Sequence, residues 1–158
     1  MSKKGQENSE LTKGSEKMNP LDAFNLAQQI RLGLQEEYRA LGINEEYIST
    51  LVDTFYTKVR ANPDLGPIFG SRIGGQWEPH LQKMKTFWGS VMLRTGAYGG
   101  KPMQVHIGVK EAKPQHFQTW ITLFEETLEE TAPNTKVVEL FMERAMTMSD
   151  RLQSVMFK

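Results

Sequence analysis

The chain has 158 residues, of which 39% are hydrophobic and 24% charged, a composition typical of a folded globular domain. Its nineteen acidic and nineteen basic residues balance, which argues against nucleic-acid binding through phosphate neutralisation. There is no cysteine, so disulfides, zinc–thiolate sites and iron–sulfur clusters are excluded.

The sequence contains no signal for a membrane. No apolar run approaches the roughly 20 residues needed to cross a bilayer, and the start lacks the apolar core of a secretory signal. We therefore expect a cytoplasmic protein. Residues 1–18 are mostly Lys, Ser, Glu, Asn and Gly and are predicted to be a disordered tail, whereas residues 19–158 are predicted to form a single domain.

The first half of this domain is predicted to be helical. Asn19-Pro20 is typical of a helix start and Gly42 of a helix end, which predicts a first helix over residues 20–41. Asn44 is the expected cap of a second helix, which Asn62-Pro63 ends. Residues 64–70 are predicted to form a turn that carries large apolar side chains.

The second half continues the pattern. Apolar residues at helical spacing predict a helix over residues 76–95 with Gly96 as its stop, and another that begins at Pro114. Pro133-Asn134-Thr135 separates the latter from a final helix that runs almost to residue 158. No alternating strand pattern is present. The predicted fold class is all-α, with about five long helices and one short element near His106.

Two histidines indicate a candidate cofactor. His80 lies on the helix at 76–95, and His106 follows a segment rich in glycine and proline at 96–102. Two imidazoles placed in this way can face each other across a flat apolar ligand, which would be haem. Without cysteine, such a haem would be held without covalent links, by histidine, with methionine as the other candidate axial ligand. Taken alone, a histidine beside a loop is more often a surface residue, and an aromatic stripe is more often plain core.

A family resemblance strengthens the haem interpretation. The chain resembles the truncated haemoglobins, and within them the third group, from about residue 45 to residue 155. The motifs that carry the resemblance are Phe55-Tyr56-x-x-Val59-Arg60, Leu65-Gly66-Pro67-Ile68-Phe69, Trp77-x-x-His80-Leu81, Phe87-Trp88, Tyr98-x-Gly100-x-Pro102, His106, Phe117-x-x-Trp120 and Phe124. The resemblance implies a globin-like two-over-two helical sandwich with an extra N-terminal helix, so that residues 19–158 would be a single globin-like haem-binding domain.

The resemblance also implies roles for individual residues. His106 would be the proximal iron ligand, and Tyr56, His80 and Trp120 would form the distal pocket. The Tyr56 hydroxyl and the Trp120 indole N–H are donors that would stabilise a bound ligand, although both residues are otherwise ordinary core aromatics. His80 would donate to the ligand, control its access or bind the iron itself. Further residues expected to line the porphyrin are Phe69, Met84, Phe87, Trp88, Val91, Tyr98, Met103, Val105 and Phe117.

The function implied is binding of dioxygen, carbon monoxide and nitric oxide by haem b (iron protoporphyrin IX). Tight retention of oxygen would suit redox chemistry such as nitric oxide or peroxide detoxification, with an unidentified reductase as a candidate partner. No catalytic residue is assigned, and neither nucleic acid nor a membrane is an expected partner. Two alternatives remain at this point: a haem-based gas sensor, and a haem-free helical interaction module.

Overall fold

The structure, a computed structural model, describes residues 19–94 and 112–157. These residues form six α-helices and no strand, which confirms the all-α prediction. The helices are α1 (Pro20–Leu41), α2 (Glu45–Ala61), α3 (Leu65–Ile73), α4 (Trp77–Leu93), α5 (Pro114–Thr131) and α6 (Thr135–Met156). The predicted short element near His106 and the predicted stop at Gly96 lie outside the described residues.

The chain divides into two units, with the division inside α1 between Glu36 and Glu37. The described part of the first unit is the start of α1, where the Asn19 side-chain oxygen accepts from the backbone N–H of Asp22 at 2.8 Å. This confirms the predicted helix start. Several large apolar side chains of this unit are exposed, among them Leu21, Phe24 and Ile30.

The second unit begins with the end of α1, which confirms the prediction for Gly42. Gly42 has a φ of +104°, a conformation that favours glycine. The N–H of Ile43 donates to the carbonyl of Tyr38 at 2.9 Å, and that of Gly42 donates to Arg39 at 3.0 Å. This pair of bonds is a Schellman motif, which satisfies carbonyls at a helix end. Ile43 is then fully buried, so the motif turns the chain directly into the core.

The helix α2 starts as the sequence predicts. The side-chain oxygen of Asn44 accepts from the backbone N–H of Tyr47 at 2.8 Å. Beside this cap, the guanidinium of Arg39 donates twice to the carboxylate of Glu45, at 2.8 and 2.7 Å. That contact lowers the pKa of Glu45 to about 2. Both side chains are largely exposed, so the pair adds little to stability.

The turn predicted at residues 64–70 is wrong, because residues 65–70 belong to the nine-residue helix α3 and Asp64 is its N-cap. The side-chain oxygen of Asn62 accepts from the backbone N–H groups of both Asp64 and Leu65, each at 2.9 Å, and so starts the helix. Pro67 lies in the first turn, where its missing N–H would have had no helical partner. The residues that suggested a turn are therefore compatible with the start of a short helix.

The remaining helices lie close to their predicted positions. The helix α4 begins one residue later than predicted and ends at Leu93, followed by Arg94 in the left-handed conformation with a φ of 53°. The helix α5 begins at Pro114 as predicted. The helix α6 starts after Asn134, whose side-chain oxygen accepts from the backbone N–H of Val137 at 3.0 Å. The side-chain nitrogen of Asn134 also donates to the carbonyl of Leu41 at 2.9 Å, which joins α6 to the end of α1.

Two helix pairs enclose the core of the second unit. The helix α2 packs on α4, α5 packs on α6, and α2 also contacts α5 and α3. This arrangement agrees with a two-over-two sandwich. The largest fully buried side chains include Phe55 of α2, Met92 of α4, Phe124 of α5 and Phe141 of α6. Within the described ranges, no helix is long and apolar enough to span a membrane.

Candidate functional site

The candidate site is built around Tyr56 on α2. Its side chain is only 5% exposed, because the residue lies at the contact between α2 and α4. The ring of His80, on α4, meets the Tyr56 ring edge to face, with centroids 5.2 Å apart and planes at 89°. The second ring nitrogen of His80, Nε2, is buried from solvent. Two of the predicted distal residues are therefore direct neighbours.

Two further aromatic rings complete this group. Phe69 of α3 and Trp77 of α4 each lie with their ring centroids 6.2 Å from that of Tyr56. Trp77 also contacts His80, at 6.0 Å and 89°. We call Tyr56, Phe69, Trp77 and His80 the tyrosine cluster. Its members come from three helices, so the cluster depends on how α2, α3 and α4 pack.

Trp120, the third predicted distal residue, is joined to the tyrosine cluster through Phe55. The Phe55 ring lies 5.0 Å from Tyr56 and 5.3 Å from Trp120, centroid to centroid. Trp120 in turn stacks on Phe124 of the core, at 5.4 Å with planes 9° apart. The structure thus brings Tyr56 and His80 together, and places Trp120 one ring away from them.

The electrostatic character of the site follows from burial. Burial raises the pKa of the Tyr56 phenol well above its ordinary value of 10.0. The hydroxyl therefore keeps its proton at any physiological pH and remains a hydrogen-bond donor. Within residues 19–94 and 112–157, no cluster of His, Asp and Glu side chains could hold a metal ion by itself. The described part of the site is thus a mainly aromatic surface in which the Tyr56 hydroxyl is a buried, neutral donor.

The other predicted lining residues are distributed over the second unit. Met84 and Val91 are half-buried and pack against the core, and Phe87 and Trp88 are buried in it. Trp88 stacks on Phe124 at 5.3 Å and also contacts Phe141. Phe117 contacts Phe157, near the end of α6, at 5.9 Å. Tyr98, Met103, Val105 and His106 lie outside the described residues, so their places in the site remain predictions.

Two residues of this site, Trp77 and Arg60, were not predicted from the sequence. Trp77 belongs to the tyrosine cluster, and the guanidinium carbon of Arg60 lies 4.6 Å from the Trp77 ring centroid. A signal existed in the spacing, because Arg60 follows Tyr56 by four residues and Trp77 precedes His80 by three. Such spacings place two residues on the same face of a helix. Both residues were assigned only to the family motifs.

Comparisons with known proteins agree with this geometry. Residues 36–156 match the family described as bacterial-like globin. The group 3 truncated hemoglobin ctb of Campylobacter jejuni is 34% identical over 119 residues, which cover 73% of this chain and 93% of that protein. The chain belongs to the third group of truncated haemoglobins. The resemblance found in the sequence is therefore confirmed.

Solved structures of truncated haemoglobins show the same fold. The crystal structure of the group III truncated hemoglobin from Campylobacter jejuni has a TM-score of 0.70, again with 34% identity over 73% of this chain and 93% of that one. The group II truncated hemoglobin from Bacillus anthracis is more distant, with a TM-score of 0.60, 26% identity, and coverage of 73% of this chain and 93% of that one.

Membership of this family means that the chain is a haem protein that binds diatomic gases through the haem iron. The residues of the described site fit such a group. A porphyrin needs apolar and aromatic contacts, which the tyrosine cluster offers, and a gas ligand needs donors that are neutral and shielded from water. The buried Tyr56 hydroxyl is such a donor.

Proposed function

We propose that this truncated haemoglobin binds haem b with His106 as the proximal iron ligand, and that it retains dioxygen tightly for redox chemistry. Haem would supply an iron that can bind a diatomic gas. Tyr56, His80 and Trp120 are the proposed pocket residues on the ligand side. The porphyrin lining is proposed to include Phe69, Met84, Phe87, Trp88, Tyr98, Met103 and Phe117.

The buried hydroxyl of Tyr56 is the observation that carries this proposal. Because the pKa of this phenol is raised, the phenol ionises only at a pH far above the physiological range and remains protonated within that range. Its edge-to-face contact with His80 stabilises this orientation of the ring. A restrained neutral donor in an apolar setting favours a ligand that carries partial negative charge, as dioxygen does on ferrous haem.

Trp120 is the proposed second donor. An indole N–H can only donate, and stacking on Phe124 restrains the ring. Two hydrogen bonds at about 1–1.5 kcal/mol each raise the affinity for oxygen roughly 30- to 150-fold. Oxygen held this tightly is poorly suited to delivery and better suited to reaction in place.

Oxidation of nitric oxide is one reaction of this kind. One nitric oxide, one dioxygen and one electron give one nitrate ion, so each turnover consumes an electron. A reductase that would supply this electron is therefore part of the proposal. Peroxide turnover would need electrons in the same way. The pocket residues would position the ligand and exclude water rather than supply electrons.

Absorption spectra of the purified protein test the cofactor. We expect a Soret band near 400 nm in the ferric form, and a shifted band in the ferrous and carbon monoxide forms. A colourless protein that takes up no added haem would contradict the proposal and favour a haem-free helical module. A protein with the absorption spectra of a haem protein that consumes no nitric oxide, even when a chemical reductant is supplied, would instead favour a gas sensor.

Oxygen dissociation tests the donor role of Tyr56. Tyr56→Phe should release oxygen about five- to twelve-fold faster, because it deletes one donor and keeps the ring. Tyr47→Phe is the matched control, since it removes a hydroxyl from the same helix that is instead paired with the Thr131 hydroxyl at 3.1 Å. Equal dissociation rates in Tyr56→Phe and the unmodified protein would leave Tyr56 as a core aromatic.

A further inference from the structure

A contact between a cation and an aromatic ring lies at the solvent-facing edge of the tyrosine cluster. The guanidinium of Arg60 lies over the ring of Trp77, with its central carbon 4.6 Å from the ring centroid. Arg60 is in the last turn of α2, and Trp77 is the first residue of α4. The contact therefore links the end of one helix to the beginning of the next long one.

The four residues involved are arranged from the core outwards. Tyr56 is buried, His80 and Trp77 are half-buried, and Arg60 is exposed. On α4, Trp77 contacts both inner rings, His80 at 6.0 Å and Tyr56 at 6.2 Å. Arg60 touches the cluster through Trp77 and lies four residues after Tyr56 on α2. Any movement of Trp77 therefore changes the surroundings of both predicted pocket residues.

The beginning of α4 has little local support of its own. Gln76, at the cap position, makes no side-chain capping bond. The preceding Gly74 has a φ of 62°, and the chain passes through Gly75 before it reaches the helix. A helix start without a side-chain cap frays more readily than a capped one. Packing of the Trp77 ring between Arg60 and the cluster opposes such fraying.

We propose that Arg60 and Trp77 act as positioning residues that hold the first turn of α4, which carries His80, against Tyr56, and so limit how fast a diatomic ligand enters and leaves. This inference rests on the proposed function, because it assumes that the ligand binds beside Tyr56 and His80. Neither residue needs to touch the ligand. Their effect is exerted through the placement of His80 and of the first turn of α4.

Such a role has a distinct kinetic signature. A residue that limits passage changes the association and dissociation rate constants of the ligand by the same factor. Their ratio, the dissociation constant, stays unchanged. A residue that stabilises the bound ligand changes mainly the dissociation rate. Carbon monoxide is the suitable probe, because it accepts hydrogen bonds poorly and is uncharged, so removal of a surface charge does not alter its steering. The measurement is made on the full-length ferrous protein by flash photolysis and stopped flow.

Arg60→Met should raise both carbon monoxide rates about two- to fivefold, the factor that a cation–π contact at an exposed site supplies. Arg60→Lys retains a cation over the ring and should stay close to the unmodified protein. Arg72→Met is the matched control, because it removes the same charge from the last turn of α3. Trp77→Leu should have an effect at least as large as Arg60→Met, and adding Arg60→Met to it should change nothing further.

Nuclear magnetic resonance gives a second readout that does not depend on ligand rates. Arg60→Met should shift the indole N–H signal of Trp77, assigned by its loss in Trp77→Leu, and the ring proton signals of His80. The Trp88 indole signal should not move, because that ring packs on Phe124 in the core. Because Arg60 is exposed, its substitution is expected to leave the fold intact even where Trp77→Leu does not fold.

Unchanged carbon monoxide rates in Arg60→Met would overturn the inference, as would His80 signals that do not respond. A change in dissociation alone would also overturn it. Failure of the proposed function looks different, because it appears as an unchanged oxygen dissociation rate in Tyr56→Phe. The two sets of variants can therefore give opposite answers.

Discussion

The rings of Tyr56 and His80 meet edge to face between α2 and α4, with centroids 5.2 Å apart and planes at 89°. This contact joins two polar side chains that are 24 positions apart in the sequence and places both of them at one helix contact. Packing of α2 against α3 and α4 removes the Tyr56 phenol from water, which raises its pKa. The ionisation of this one group should therefore be visible in the stability of the protein.

Stability should fall at alkaline pH, and Tyr56 should account for part of the loss. Below about pH 10, Tyr56 is neutral in both the folded and the unfolded chain and contributes no pH dependence. Above that pH the unfolded chain loses the proton while the folded chain keeps it, so unfolding becomes more favourable. The slope from one such group is about 1.4 kcal/mol per pH unit. Urea unfolding between pH 9 and pH 11.5 measures the free energy of unfolding. This free energy should decline less steeply with pH in Tyr56→Phe than in the unmodified protein.

Tyr47, on the same helix, provides a control for this test. Burial also raises the pKa of Tyr47, but its hydrogen bond with Thr131 opposes the shift. Tyr47→Phe should therefore change the alkaline decline less than Tyr56→Phe does. Identical slopes in the unmodified protein and in Tyr56→Phe would mean that the Tyr56 hydroxyl is accessible to water in the folded state.

Local chemistry explains which parts of this fold were predictable from the sequence. Asn44, Gly42 and Pro114 mark helix ends because each acts on backbone groups within a few residues of itself, so sequence alone identifies them. The helix α3 was missed because Gly66 and Pro67 resemble turn residues. The two hydrogen bonds that the Asn62 side-chain oxygen accepts at the start of this helix become apparent only in the folded chain.

The site was only partly predictable from the sequence. His80 was identified from the residues alone, as one of two histidines that could face a flat ligand. Tyr56 and Trp120 were proposed from the resemblance, since nothing in their local spacing shows where they lie in the fold. The role of Trp77 and Arg60 depends on how the end of α2 packs against the start of α4, which is a tertiary contact. Periodicity indicates which face of each helix is apolar, but it does not indicate which faces are opposed.

The three histidines of the chain should differ sharply in their importance for haem retention. His106→Ala should lose haem during gel filtration, because the proximal bond is removed, whereas His80→Ala should retain it. His116→Ala is a suitable control, because the Nδ1 atom of His116 only accepts from the backbone N–H of Lys113 at 2.9 Å, at the start of α5. Added imidazole should restore the spectrum of His106→Ala if the lost group was an iron ligand. Retention of haem with an unchanged carbon monoxide spectrum would exclude His106 as the ligand.

Tyr56 and Trp120 should act together on bound oxygen. Phe55 contacts both rings, so a change in one is transmitted to the other through a shared neighbour. Trp120→Phe should speed oxygen dissociation about five- to twelve-fold, because the indole donor is lost and most of the ring remains. The double variant with Tyr56→Phe should depart from additivity by about 0.5 kcal/mol or more.

The control for this pair is Trp88→Phe. Trp88 also stacks on Phe124, with ring centroids 5.3 Å apart. Trp88→Phe replaces an indole by a phenyl ring, as Trp120→Phe does. If Trp88→Phe speeds oxygen dissociation as much as Trp120→Phe does, the effect comes from altered packing of Phe124 or of the porphyrin lining, to which Trp88 is proposed to belong, rather than from a lost donor. Strict additivity of the Tyr56 and Trp120 variants would show that the two residues act independently.

The two glycines inside α3 should respond in opposite ways to alanine. A Cβ atom added at Gly66 would lie 2.7 Å from the backbone oxygen of Arg60, which cannot move without displacing the last turn of α2. A Cβ atom at Gly70 would meet nothing within 4 Å. Alanine is otherwise preferred to glycine in a helix by about 0.5–1 kcal/mol. Gly70→Ala should therefore stabilise the protein by about that amount.

Gly66→Ala should instead destabilise by about 1–3 kcal/mol, the usual cost of forcing atoms into an occupied space. Urea unfolding midpoints of the carbon monoxide complex give the change in stability of Gly66→Ala and of Gly70→Ala under one condition. Each variant differs from the unmodified protein by a single added methyl group. The displaced turn also carries Arg60, so Gly66→Ala should raise the carbon monoxide rates in the manner of Arg60→Met. If both alanine variants were stabilised to the same degree, α3 would not approach the end of α2 as closely as the structure indicates.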